Sequence, residues 1–84
     1  MNSEISALSY KVFNFILKYK RASGGVSPSI KEIGTGCHLN STSQVYSHLI
    51  TLQQLGLIER SPHKARSIRL IGEHWSPYME DLDA

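Results

Sequence analysis

Cysteine is nearly absent: Cys37 is the only one in 84 residues. One thiol cannot close an internal disulfide, which excludes the stapled secreted scaffolds and favours a reducing compartment. Long apolar runs are missing too. No stretch approaches the roughly 20 residues of a membrane span, and Met1 is not followed by a basic-then-apolar secretion signal. The expectation is a cytoplasmic protein without membrane contact. Acidic residues number only seven and are too scattered to suggest an acid/base pair. Cys37 and the four histidines (His38, His48, His63 and His74) fall at no metal-ligand spacing, and there is no glycine-rich phosphate loop. These absences argue against an enzyme and against a metal or cofactor; Cys37 reads as a small buried hydrophobe. Repeats and low-complexity tracts are lacking as well. The length suits one small domain, burying about 60% of its unfolded surface.

What is present is an uneven distribution of charge. All nine Lys and Arg lie within residues 1–72 together with three acids, leaving +6 on that body. Residues 73–84 hold the other four acids and no base, for −4. The chain thus divides into a basic domain, 1–72, and an acidic tail, 73–84. A basic body suits a polyanionic partner, with nucleic acid foremost.

Hydrophobic periods between the breaks define the elements. Ile5, Leu8, Val12, Ile16 and Tyr19 recur at spacings of three and four, predicting a helix over about 7–22. Ser6 can cap it, Ile5 can staple onto Tyr10, and Gly24-Gly25 ends it. Ser29-Ile30-Lys31-Glu32 is a capping box opening a second helix. That helix is short, since Gly34 and Gly36 each cost about 1 kcal/mol in a helix interior. Cys37 and Leu39 supply its core contacts. After a turn through His38-Leu39-Asn40, Ser41 caps a third helix over about 42–55, with Val45, Leu49 and Leu52 inward and Gly56 as the stop. The period then changes. Leu57-Ile58-Glu59 and Ser67-Ile68-Arg69-Leu70 read as two short strands around a basic loop, with Ile68 and Leu70 alternating against Arg69. The fold class is mainly α with a small β-hairpin: a winged helix-turn-helix of three helices and a two-stranded antiparallel wing.

The third helix turns Ser43, Ser47 and Gln54 almost opposite its inner face, with Asn40 and Gln44 to one side and Tyr46 to the other. Such side chains can meet base edges in a B-DNA major groove, and Gln bidentate to adenine is one favoured pairing. Between Ser41 and Leu55 there is no Lys, Arg, Asp or Glu. Phosphate neutralisation must therefore come from elsewhere. Lys31, next to the cap Ser29, and Arg60, His63, Lys64, Arg66 and Arg69 around the hairpin are the candidates. If four to six phosphates are neutralised, log K falls against log salt with a slope of roughly −4 to −5.

Several of these features occur together in one known family. Lys11-Val12-Phe13, the capping box ending Glu32-Ile33, and Ser41 opening a helix with His48-Leu49 and Leu52 resemble the DNA-binding domain of the LexA repressors of the SOS response. Gly56-Leu57-Ile58-Glu59, followed after a basic loop by Ile68-Arg69-Leu70, extends the resemblance over about residues 5–71, with one extra residue near Gly24-Gly25. The resemblance implies operator DNA bound in the major groove, with base-reading positions at Ser41, Ser43, Gln44, Tyr46 and Ser47. Only Ser41 keeps the family's residue, so a different operator is expected. LexA repressors continue into a self-cleaving peptidase domain that also dimerises them. A chain stopping at residue 84 is expected to lack both that Ser/Lys dyad and that interface.

Leu17, Ile50, Leu55 and Tyr10 are apolar at positions the helical geometry leaves exposed, where LexA-like sequences commonly carry polar residues. In the tail, Trp75, Tyr78, Met79 and Leu82 follow a helical stripe, and Ser76-Pro77 can start a short C-terminal helix. This tail is expected to dock on its own domain, a second copy or another protein. The function expected is a double-stranded-DNA-binding transcriptional regulator acting as a repressor. The alternative is a winged-helix module that binds a protein, such as another regulator or the transcription machinery. Duplex RNA recognition through the wing is a third reading.

Overall fold

The structure, a computed structural model, describes residues 6–61 and 64–71. Helix α1 spans Ala7–Ala22, and the Ser6 side chain caps it by accepting the Ser9 N–H at 3.0 Å. Its buried face is Ser9, Val12 and Ile16. The expected stripe included Leu8, which is 38% exposed, whereas Ser9 is 2% exposed. Ser9 lies only about 20° from Ile16 around the helix, so it is nearer the centre of the inner face. Burying a hydroxyl requires a partner, and Ser9 Oγ has one in His48 Nδ1 at 2.8 Å. The Ile5 staple, His63 and the tail residues Trp75, Tyr78, Met79 and Leu82 lie outside the described residues.

Helix α2 spans Ile30–Gly36 and opens with a complete capping box: Glu32 N–H donates to Ser29 Oγ, and Ser29 N–H donates to Glu32 Oε1 at 2.8 Å. The turn that follows places His38 in the left-handed region, φ 59°, and returns the Leu39 N–H to Gly34 O at 2.8 Å. Helix α3, Thr42–Gln54, is capped by Ser41 and buries Val45, Leu49 and Leu52. It ends in a Schellman motif: Gly56, at φ 76°, donates to Gln53 O, and Leu57 N–H reaches Leu52 O.

The hairpin pairs β1, Ile58–Glu59, with β2, Arg69–Leu70, antiparallel and in register Ile58 to Leu70 and Glu59 to Arg69. Ile58 and Leu70 face inward and the charged pair outward, as the alternation predicts. The core joins Val12 and Ile16 of α1, Ile33 and Cys37 around α2, Val45, Leu49 and Leu52 of α3, and Ile58, Ile68 and Leu70 of the hairpin. Leu17 differs from expectation. It is half-buried and packs on this core, as do Phe13 and Phe15 of the same helix.

Candidate nucleic-acid interface

Helix α3 is packed on both α1 and α2 by its inner stripe, so its outer face is held rigidly toward solvent. Ser41, Ser43, Gln44, Tyr46 and Ser47 are all exposed. The helix start is internally tied. Ser41 Oγ accepts the Gln44 N–H and lies 3.3 Å from Ser43 Oγ, while Gln44 Oε1 accepts the Asn40 N–H at 3.0 Å. The His48 ring, the single histidine of α3, is turned onto Ser9 of α1 and away from that outer face. The exposed face of α3 is thus uncharged.

Cations line a cleft beside it. The cap Ser29 and Lys31 of α2, Thr42 and Tyr46 of α3, and Arg60, Lys64 and Arg66 of the wing share one cavity of about 460 Å³. The Arg60 guanidinium stacks 4.9 Å from the centroid of the Tyr46 ring, a cation–π contact that couples wing and helix. Arg60 Nε is enclosed with no acceptor among the described residues. Lys31, Arg60 and Lys64 have no carboxylate partner among the described residues.

Two of the expected cations have other engagements. Arg66 sits at φ 51° in the wing and forms a two-pronged ion pair with Glu32, at 2.9 and 3.2 Å. The same guanidinium donates to Ser27 O at 3.0 Å and Tyr19 OH at 3.3 Å. Arg66 therefore ties the wing to α1, α2 and the segment between them. That guanidinium, with the Ser29 N–H, holds the Glu32 carboxyl down at about 2, well below its ordinary 4.5. Arg69 pairs with Glu59 across the hairpin. Ser29 is likewise occupied as the α2 cap.

Three wing supports were not evident from the sequence. Lys20 Nζ donates to Ile68 O at 3.0 Å, and buried Ser27 Oγ accepts the Ile68 N–H at 3.2 Å. Ser67 closes the loop base by donating to Ser61 O and accepting the Ser61 N–H, both at 3.1 Å. Each joins positions far apart in the chain or across a loop, where no periodicity signals a contact. Of the apolar surface expected, Ile50 is 47%, Leu55 40% and Tyr10 56% exposed. Burial raises the pKa of the Cys37 thiol above its ordinary value, in keeping with a packing role.

Three helices in this order, the third with an uncharged exposed face and an antiparallel hairpin beside it, define a winged helix-turn-helix domain. The chain belongs to the family of the LexA DNA-binding domain, whose family model matches residues 3–67. It is 39% identical over 71 residues to the LexA repressor of Brevibacillus brevis, covering 84% of this chain and 34% of that protein. It is 38% identical over 72 residues to the LexA repressor of Carboxydothermus hydrogenoformans, covering 86% and 35%. With the LexA repressor of Bacillus thuringiensis the identity is 42% over 62 residues, covering 74% and 30%. The chain spans about a third of the length of these relatives.

Proposed function

We propose that this protein binds double-stranded DNA in the cytoplasm and represses transcription by occupying a promoter. Helix α3 enters the major groove with Ser41, Ser43, Gln44, Tyr46 and Ser47, while Lys31, Arg60 and Lys64 hold phosphates. The observation that carries this reading is the separation of the two chemistries. The exposed residues at the start of α3 are neutral and polar, and cations without a carboxylate partner among the described residues line the cleft next to them. Phosphate contacts position a protein on the duplex, whereas base-edge contacts specify sequence. Arg66 and Arg69, already engaged by Glu32 and Glu59, contribute less to the grip. The repressor assignment draws on the relatives, each named a LexA repressor.

A second copy on an adjacent half-site, or a protein partner already on DNA, supplies affinity that one winged domain lacks. The exposed apolar side chains Tyr10, Ile50 and Leu55 favour a protein-binding module as the second reading. Selection from a random duplex library separates the two. Enrichment of a defined site supports DNA reading; no enrichment after repeated rounds transfers support to the protein partner.

A further inference from the structure

The Gln44 amide is oriented by the backbone before any ligand arrives. Gln44 is the third residue of α3, and its own N–H is taken by the cap, Ser41 Oγ, at 3.3 Å. Its side chain folds back so that Oε1 accepts the Asn40 N–H at 3.0 Å. Turning the amide over would set the NH2 group against that N–H, donor against donor, and lose the bond. The oxygen is thereby held toward the helix start, and Nε2, with two N–H donors and no acceptor capacity, is the end of the amide left for a ligand. Gln44 itself is exposed.

We propose that Gln44 reads DNA as a donor only and therefore selects guanine, not adenine. This rests on the major-groove reading above. The pairing of glutamine with adenine needs the amide oxygen to accept from N6 while the amide nitrogen donates to N7. Here the Asn40 N–H takes one of the oxygen's two lone pairs and holds the oxygen toward the helix start, which disfavours that side-by-side pairing. Guanine presents N7 and O6, two adjacent acceptors, which one NH2 group can satisfy together. Thymine offers one acceptor, O4. Adenine offers N7 beside a donor, and cytosine offers only its N4 donor. Guanine ranks first and cytosine last.

The test is selection from a random duplex library with the full chain and with its Gln44→Ala and Gln44→Glu variants. Gln44→Glu keeps an acceptor for the Asn40 N–H, and an acid suits the first turn of a helix, so the helix start is retained while the exposed donors are removed. The wild type should show one position with guanine favoured over adenine by about fivefold or more. Gln44→Ala should erase that preference, and Gln44→Glu should move it to cytosine. An adenine preference that Gln44→Ala abolishes would overturn the donor-only assignment and leave DNA reading standing. A specific site that neither variant alters would overturn any role for Gln44. A chain that enriches no site at all would instead overturn the DNA reading on which this proposal rests.

Discussion

Two glycines of α2, two residues apart, should respond in opposite directions to the same added methyl group. At Gly34 a Cβ would meet Leu39 O and Val45 Cγ2, both at 3.5 Å, which is ordinary contact. At Gly36 it would lie 2.2 Å from Phe15 Cε1 and under 3 Å from two more ring carbons. Replacing Gly with Ala in a helix gains up to about 1 kcal/mol, so Gly34→Ala should be neutral or stabilising by that amount. At Gly36 the ring must retreat by about 1 Å to reach van der Waals separation. Phe15 is half-buried, packs on the core and also contacts Tyr19, with ring centroids 6.0 Å apart. Overpacking of this kind costs about 1–3 kcal/mol and outweighs the propensity gain. The two variants should therefore differ by roughly 1–3 kcal/mol. With a urea dependence of about 1 kcal/mol/M for a domain of this size, their unfolding midpoints should separate by about 1 M or more. Circular dichroism during urea titration measures it directly. Adding Phe15→Leu to Gly36→Ala should recover part of the loss. A Gly36→Ala midpoint at or above that of Gly34→Ala would refute the packing argument.

Other outcomes follow from the wing and the turn. Lys64→Ala should weaken binding to all duplexes alike and flatten the salt slope by about one unit, as a phosphate contact does; fluorescence anisotropy at several salt concentrations reads both. Glu32 is ionised to lower pH in the folded state than in the unfolded one, so its contribution to stability is full above about pH 4.5 and is lost as pH falls toward about 2. Urea midpoints of the wild type and Glu32→Gln should accordingly converge across that window; a constant difference from pH 5 to pH 2 would contradict the ion pair with Arg66. His38→Gly should relieve the left-handed backbone at φ 59° and raise stability by about 0.5–1 kcal/mol, which thermal unfolding resolves.

Much of the fold was legible because its signals are local. Ser6, Ser29 with Glu32, and Ser41 each act within three residues, and the structure has all three as caps. The Gly56 stop and the alternation of Ile68, Arg69 and Leu70 are equally short-range. The candidate site was legible in part. The uncharged face of α3 and the wing cations followed from sequence, but which cations carry carboxylate partners did not. Arg66 meets Glu32 across 34 positions, and nothing in the spacing of either residue announces it. The same holds for Ser9 and His48, 39 positions apart, which place a hydroxyl where the periodicity favours Leu8. Gly36 was read as a cost to helix propensity; its close approach to Phe15 gives it a packing reason that only the tertiary structure supplies.

The division of labour between a neutral α3 and a cationic cleft is tested most directly by a salt titration on the selected duplex. With Arg66 and Arg69 engaged by carboxylates, the proposed grip of Lys31, Arg60 and Lys64 amounts to about three phosphates per domain. Log K should then fall against log salt with a slope of about −3, shallower than the −4 to −5 that counting every wing cation implies. The triple variant Lys31→Ala, Arg60→Ala, Lys64→Ala should bring the slope close to zero while leaving the preferred bases unchanged. A triple variant that keeps the wild-type slope would contradict the account.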